Sequence, residues 1–316
     1  MSFVQPDRAS HHEQPETGAE TLVNLNEIAE IELFILRRMK EFTVGDHASV
    51  FHGAGFNFVG TRDWQPGDRM SSVDWAQSSL TNFSPMVTRE FDQDSNATVM
   101  AVADASLSTR CGIGGVSIAS AIARSVAAAG LSAVFFQDQF GLITFDEQCH
   151  QLTAARPRVG RSNVIYCLDL YQNRSALDAV TDRDITATIA GHLRKASLVP
   201  VISDFLVPDA RRLVTDLAKL NAVHDVFLLM ADARFAYELP AVSAGWVEAF
   251  DVETGTTRVF SKRELRRLAS RIDDWQQEIM SLARDNGLDA VRVGLDRWQM
   301  EAALVGFTAE RRLRKM

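Results

Sequence analysis

Met100-Ala-Val-Ala-Asp-Ala-Ser-Leu-Ser-Thr-Arg110 is the stretch on which the reading of this chain turns. An apolar run, Ala97–Ala103, stops at Asp104, and hydroxyl side chains follow at Ser106 and Ser108. A continuous apolar run of this length is the pattern of a strand buried on both faces. In an open α/β sheet the ligand lies beyond the carboxyl ends of the strands, which is where Asp104 falls. Oxygen-only donors suit a hard divalent cation, and one or two carboxylates with hydroxyls and water suit Mg²⁺, with Ca²⁺ or Mn²⁺ as alternatives. A strand-end Asp can also simply cap the next helix. What favours the cation is a second apolar run, Leu198-Val-Pro-Val-Ile-Ser-Asp204, which ends in the same way.

Outward from these two runs, strand and helix patterns alternate. Helical patterns are predicted over 24–42, 115–129, 160–172, 184–195, 209–220, 261–286 and 297–312. Strands are predicted over 97–103, 131–136, 140–145, 198–203, 225–230, 246–250 and 290–294, with Gln137-Asp138-Gln139 as a tight turn between two of them. This alternation predicts an α/β fold with a mostly parallel sheet covered by helices on both faces. Residues 43–95 are rich in Gly, Asp and aromatics and hold only short strand-like pieces, such as Phe56–Val59 and Pro85–Phe91. The expected organisation is a disordered tail over 1–22, an accessory helix with short strands over 23–95, and the main domain over 96–316.

Composition narrows the function classes. The formal net charge is -8, which argues against nucleic acid as a partner. The basic cluster Arg311-Arg312-Leu313-Arg314-Lys315 reads as a helix end. The apolar run Ala127–Phe136 is about half the length a bilayer needs, so no membrane span is expected. The polar N-terminus and the three cysteines, Cys111, Cys149 and Cys167, predict a cytoplasmic protein without a disulfide framework or a zinc site.

Asp104-x-Ser106-x-Ser108 resembles the metal-ion-dependent adhesion site of von Willebrand factor A-like domains, and Ser203-Asp204 resembles its later Asp. Gly53-Ala-Gly-Phe-Asn-Phe58, Arg62-Asp-Trp-Gln-Pro-Gly-Asp68, Ser72-Val-Asp-Trp75 and Val87-Thr-Arg-Glu-Phe91 narrow the match. So do Phe140-Gly-Leu-Ile-Thr-Phe145, Ile202-Ser-Asp-Phe205 and Asp251-Val-Glu-Thr-Gly255. Together they resemble the bacterial domain-of-unknown-function family fifty-eight, from about residue 30 onward. The resemblance implies a von Willebrand factor A-like domain in which Asp104, Ser106, Ser108 and Asp204 hold Mg²⁺. It also implies a MoxR-type AAA+ ATPase and a client protein as partners. An adhesion-type site adds a Thr; here Val159-Gly-Arg-Ser162 offers Ser162 in its place, which implies that the ion is bound weakly or not at all.

The expected function is therefore a non-catalytic adaptor or co-chaperone that engages its partner through the divalent cation, in complex assembly, maturation or metal insertion. The alternatives are a metal-assisted hydrolase using the same pocket, or a scaffold with a vestigial site. No motif places a His or Glu as a base, and no G-x-S-x-G elbow marks Ser106 as a nucleophile. Cys111-Gly-Ile-Gly-Gly115 lacks the Lys-Ser/Thr of a phosphate loop. Arg62, Asp68, Asp74 and Arg89 are read as a salt-bridged knot around Trp64 and Trp75.

Overall fold

The computed structural model describes residues 22–44, 57–65, 70, 73–92, 97–113, 116–146, 152–173, 179–180, 185–237, 246–251 and 256–294. The chain begins with α1 (Leu25–Val44), β1 (Asn57–Asp63), α2 (Trp75–Leu80), β2 (Val87–Asp92) and β3 (Thr98–Asp104). Next come β4 (Gly112–Ile113), β5 (Val116–Ser117), α3 (Ile118–Phe135), β6 (Gln139–Phe145), β7 (Leu152–Arg158), α4 (Arg161–Asn173) and β8 (Ala179–Val180). It continues with α5 (Ile185–His192), β9 (Leu198–Ser203), α6 (Ala210–Leu220), β10 (Asp225–Ala231), β11 (Trp246–Asp251), β12 (Thr256–Ser261), α7 (Lys262–Asp285) and β13 (Asp289–Val293). The expected helix over 297–312 and the basic cluster at 311–315 lie outside the described residues.

Seven strands form one sheet in the order β13-β10-β9-β3-β6-β7-β8. The first five run parallel, and β7 is antiparallel to both β6 and β8. This is the mostly parallel sheet, covered by helices on both faces, that the alternation of strands and helices predicts. β3 lies between β9 and β6, and its side chains alternate between two cores, as a strand with a period of two requires. Val99, Ala101 and Ala103 enter the core under α1, α3 and α4. Met100 and Val102 enter the core under α5, α6 and α7. Every residue from Val99 to Asp104 is buried.

Four features differ from the sequence reading. Residues 131–135 are the end of α3, not a strand. A helix that is apolar all round carries no period by which to separate it from a buried strand. Here the Ser117–Ser120 capping box starts the helix, and Gln137 at φ 58° ends it. Asp138 then accepts the Ala97 N–H at 2.8 Å, tying that turn to the entry of β3. Second, α3 is long and apolar enough to cross a membrane, yet it is the helix at the centre of the core, 83% buried. It packs so closely that a Cβ on Gly130 would stand 2.7 Å from Val164 Cγ1 and 3.0 Å from Phe140 Cε1.

Third, α1 packs into the main core. Ile28, Ile31 and Ile35 are buried in the α3 core, as are Leu22 and Val23 ahead of the helix. Glu27 meets Arg124 of α3 at 2.8 Å, and Glu32 meets Arg161 of α4 at 3.0 Å. Fourth, the one described carboxylate of the expected charged knot has a local role as well. Asp74 caps α2 by accepting the Gln77 N–H at 3.1 Å. Trp75 is exposed, with its ring 6.4 Å from Phe83. Asp68 and the side chains of Arg62 and Arg89 lie outside the described residues. β1 and β2 form a separate antiparallel pair.

Candidate metal centre

β3 and β9 are neighbouring parallel strands, so their carboxyl ends meet at one edge of the sheet. That register brings Asp104 and Asp204 together, and both are buried, at 0% and 1% exposure. The chain leaves β3 through a turn in which Asp104 Oδ1 accepts the Ser106 N–H at 2.9 Å. A short 3-10 turn over Leu107–Arg110 follows, with Thr109 Oγ1 donating to the Ser106 carbonyl at 2.7 Å. This winding places Ser106 Oγ 3.2 Å from Ser108 Oγ. At the end of β9, Asp204 Oδ1 accepts the Leu206 N–H at 2.9 Å, and Phe205 takes a left-handed φ of 56°.

Three side chains absent from the expected ligand set hold these carboxylates in place. Ser203 Oγ donates to Asp104 Oδ2 at 2.5 Å and accepts the Phe205 N–H at 2.8 Å, joining the two strand ends directly. Tyr171 Oη, from the last turn of α4, donates to the Asp104 carbonyl at 2.7 Å. Gln276 of α7 donates through Nε2 to the carbonyls of Asp204 at 3.0 Å and Ala231 at 2.8 Å. Beside it, Trp275 Nε1 donates to the Phe205 carbonyl at 2.9 Å. Ser203 was visible in the sequence but carried no assigned role. Gln276 had a signal: it interrupts the buried stripe Ile272, Ile279, Ala283 of α7. A polar side chain at a core position is there to satisfy buried polar groups. Tyr171 had no signal beyond its aromatic character.

Ser162 does not join the site. It sits at the exposed start of α4, where neighbouring Asn163 donates to the Phe140 carbonyl at 2.6 Å. Phe140 is at the entry of β6, whereas Asp104 pairs with Phe145 at its exit. The two ends are about 17 Å of strand apart. The antiparallel direction of β7 is the cause: it carries the chain from the Asp104 end to the opposite end, where α4 begins. The other end of α4, with Tyr171, returns to Asp104.

Two buried carboxylates side by side make each other's ionisation costly. Burial, and then the neighbouring Asp104 charge, push the Asp204 carboxyl up from 3.8 to about 7, against the lowering effect of the Leu206 N–H. Asp204 Oδ2 is buried without a hydrogen-bond partner among the described residues. A buried carboxylate oxygen in that state is costly unless it is protonated or bound to a positive charge. Arg110, the guanidinium on the adjoining turn, donates to the Gln172 carbonyl at the end of α4. No three His, Cys, Asp or Glu side chains cluster among the described residues, so the donor set is two carboxylates and hydroxyls. That set fits a hard divalent ion, with Asp104, Ser106, Ser108 and Asp204 as the residues to hold it.

Gly112–Ile113 pairs antiparallel with Val116–Ser117, and Gly114 and Gly115 lie outside the described residues. A Cβ on Gly112 would overlap the Val116 carbonyl oxygen at 2.0 Å, so only glycine fits there. Cys167 is buried, and burial pushes its thiol up to about 12.

Comparison with curated proteins finds no match. Among solved structures, the chain is similar to an aerotolerance-related membrane protein from Bacteroides fragilis NCTC 9343, crystallised with multiple mutations to serines. The likeness is 16% identity at a TM-score of 0.42, over 68% of this chain and 99% of that one. It is also similar to the conserved hypothetical protein BatB from Bacteroides thetaiotaomicron, at 16% identity and a TM-score of 0.41 over the same shares. Residues 60–278, well over half of the chain and including both Asp104 and Asp204, match the sequence profile of the family described as "Protein of unknown function DUF58", and the chain belongs to that family.

Proposed function

We infer that this protein is a non-catalytic adaptor or co-chaperone that grips a partner protein through a divalent cation held at the Asp104–Asp204 pocket. The observation that carries the reading is Asp204 Oδ2, buried and unpartnered beside a second buried carboxylate. Protein groups already engage the rest of the pocket, through the Ser106 N–H, Ser203 Oγ and Leu206 N–H. A hard cation bound there supplies Lewis acidity toward an incoming carboxylate. The chain's own residues fix the two carboxylates and present two hydroxyls. Among the described residues the set offers two carboxylates and two hydroxyls, fewer ligands than a six-coordinate divalent ion takes, and an Asp or Glu of a partner would complete the shell.

The partner proposed from the family resemblance is a MoxR-type AAA+ ATPase, acting with this chain on a client protein during assembly, maturation or metal insertion. The test is co-purification of a tagged chain with such an ATPase in Mg²⁺ and in EDTA, repeated with Asp104→Ala. Capture that needs Mg²⁺ and is lost in the variant supports the reading. Capture indifferent to both assigns the chain a scaffold role instead.

A further inference from the structure

The first half of α7 carries a concentration of positive charge that forms no ion pair with any described residue, apart from the longer-range attraction between Arg267 and Glu264. Arg258 of β12 and Lys262, Arg263, Arg266, Arg267 and Arg271 of α7 are six cations, with Glu264 as the one carboxylate among them. None of the six has an ion pair or hydrogen bond among the described residues. Glu264 is committed to its own helix start, accepting the Ser261 N–H at 2.8 Å and the Ser261 hydroxyl at 2.7 Å. Arg263, Arg267 and Arg271 recur at the i, i+4, i+8 spacing, with Arg266 beside them, so they share one face. That face is exposed, while Leu265 and Ile272 on the other side are buried.

This arrangement works against the helix that bears it. Lys262 and Arg263 occupy the first turn, where the helix dipole disfavours cations. The pairs Lys262–Arg266, Arg263–Arg267 and Arg267–Arg271 place like charges one turn apart, each weakening the helix. In a chain with a net charge of -8, such a concentration of exposed basic side chains is a local reversal of sign that complements an acidic ligand.

Its location says which ligand. Asp273 of α7 meets Arg292 of β13 at 2.6 Å, and Gln276 holds the carbonyls at the ends of β9 and β10. Residues 262–272 therefore continue past the strand ends by on the order of 15 Å at the helical rise. They leave the sheet at the edge that holds Asp104 and Asp204. The antiparallel pair β11–β12 leads directly into this end of α7 through Ser261, with Trp246 at 66% and Val259 at 60% exposure. Its strand β11 also carries Glu248 and Asp251.

We propose that the Arg263–Arg266–Arg267–Arg271 face is a docking surface for an acidic segment of a partner protein, standing beside the cation pocket. A protein occupant is favoured over nucleic acid or an anionic membrane because a short acidic segment confines its charge to the stripe, whereas a larger polyanion also meets the acidic remainder of the chain. An acidic polypeptide can lie along the stripe and extend one carboxylate toward the Asp104 pocket. The nature of the partner rests on the adaptor reading; the basic face itself needs no cation.

The experiment uses the full chain and a fluorescent peptide of alternating Asp and Glu, followed by anisotropy in EDTA and in Mg²⁺. Labelled oligothymidylate and phosphatidylcholine–phosphatidylglycerol vesicles are run in parallel. Arg263→Glu/Arg267→Glu is expected to weaken peptide binding by about tenfold or more, since reversing rim charges acts on exposed charge pairing. Arg194→Glu/Lys195→Glu, an equal reversal on exposed residues away from the face, is expected to leave it unchanged. Wild-type affinity is expected to fall as salt is raised. Equal losses in the two variants, affinity indifferent to salt, or tighter binding of oligothymidylate or vesicles than of the peptide would each overturn the proposal. Asp104→Ala separates the two readings: it is expected to abolish any gain from Mg²⁺ while leaving the Arg-dependent binding in EDTA intact. If no Mg²⁺ gain occurs but the Arg dependence holds, the cation reading fails and the docking face stands.

Discussion

Replacing Asp204 by Asn tests the electrostatics of the pocket in one step. In the cation-free protein the Asp204 carboxyl is raised from 3.8 to about 7 by burial and by Asp104. Between those values the folded chain keeps a proton that the unfolded chain has lost. Stability is therefore fully present below about pH 4 and is lost as the pH rises through about 7. Burial is complete, so solvent screening removes little, and the shift corresponds to at most about 4 kcal/mol. For a chain of this size that is a decline of about 5–10 °C in Tm from acid to neutral pH. Asn keeps the shape without the charge. In EDTA, Asp204→Asn should show a flatter Tm profile between pH 5 and 8 than wild type, and a higher Tm at pH 8. Adding Mg²⁺ should raise the wild-type Tm at pH 8, little at pH 5, and not at all in the variant, because a ligand stabilises only the state that binds it. Scanning fluorimetry across pH, with and without Mg²⁺, reads all of these. A wild-type profile in EDTA that stays flat, with the Asn variant less stable at every pH, would refute the reasoning.

Three further outcomes follow from the contacts around the pocket. Tyr171→Phe removes the hydroxyl bonded to the Asp104 carbonyl and should cost about 1 kcal/mol in urea unfolding, together with a measurable loss of divalent affinity by calorimetry. Gln276→Leu leaves the carbonyls of Asp204 and Ala231 without their donor and should cost about 2–4 kcal/mol in the same unfolding assay. Cys167, whose thiol burial pushes up to about 12, should stay unmodified by iodoacetamide at pH 8 in the folded protein and react on unfolding, as read by peptide mass spectrometry.

The parts of this fold legible in the sequence are those in which one pattern dictated one structure. The fully apolar runs before Asp104 and Asp204 became adjacent central strands, because only a sheet covered on both sides accepts such runs. The amphipathic pattern of α7 likewise fixed its length within a residue at each end. The parts that were missed depend on tertiary context. Leu131–Phe135 has strand-like composition, yet the chain needed those residues as the last turns of the core helix. β7, Leu-Thr-Ala-Ala-Arg-Pro-Arg, has weak alternation and contains a Pro, and its direction decided the fate of Ser162. At the site, Asp104, Ser106, Ser108 and Asp204 were found because residue type and strand-end position coincide. Ser203, Tyr171 and Gln276 act through partners that are 99, 67 and 72 residues away. No local pattern encodes such distances. The Lys262–Arg271 stripe carried no reading of its own within the 261–286 helix, although the spacing of its arginines was plain.

Crystals grown in Mn²⁺ and measured at the manganese absorption edge test the central claim most directly. The account predicts an anomalous peak between the carboxylates of Asp104 and Asp204, within ligand distance of Ser106 and Ser108 and bearing water at a remaining position. Absence of the peak at saturating Mn²⁺, with Asp204 Oδ2 bonded to a protein group instead, would contradict it.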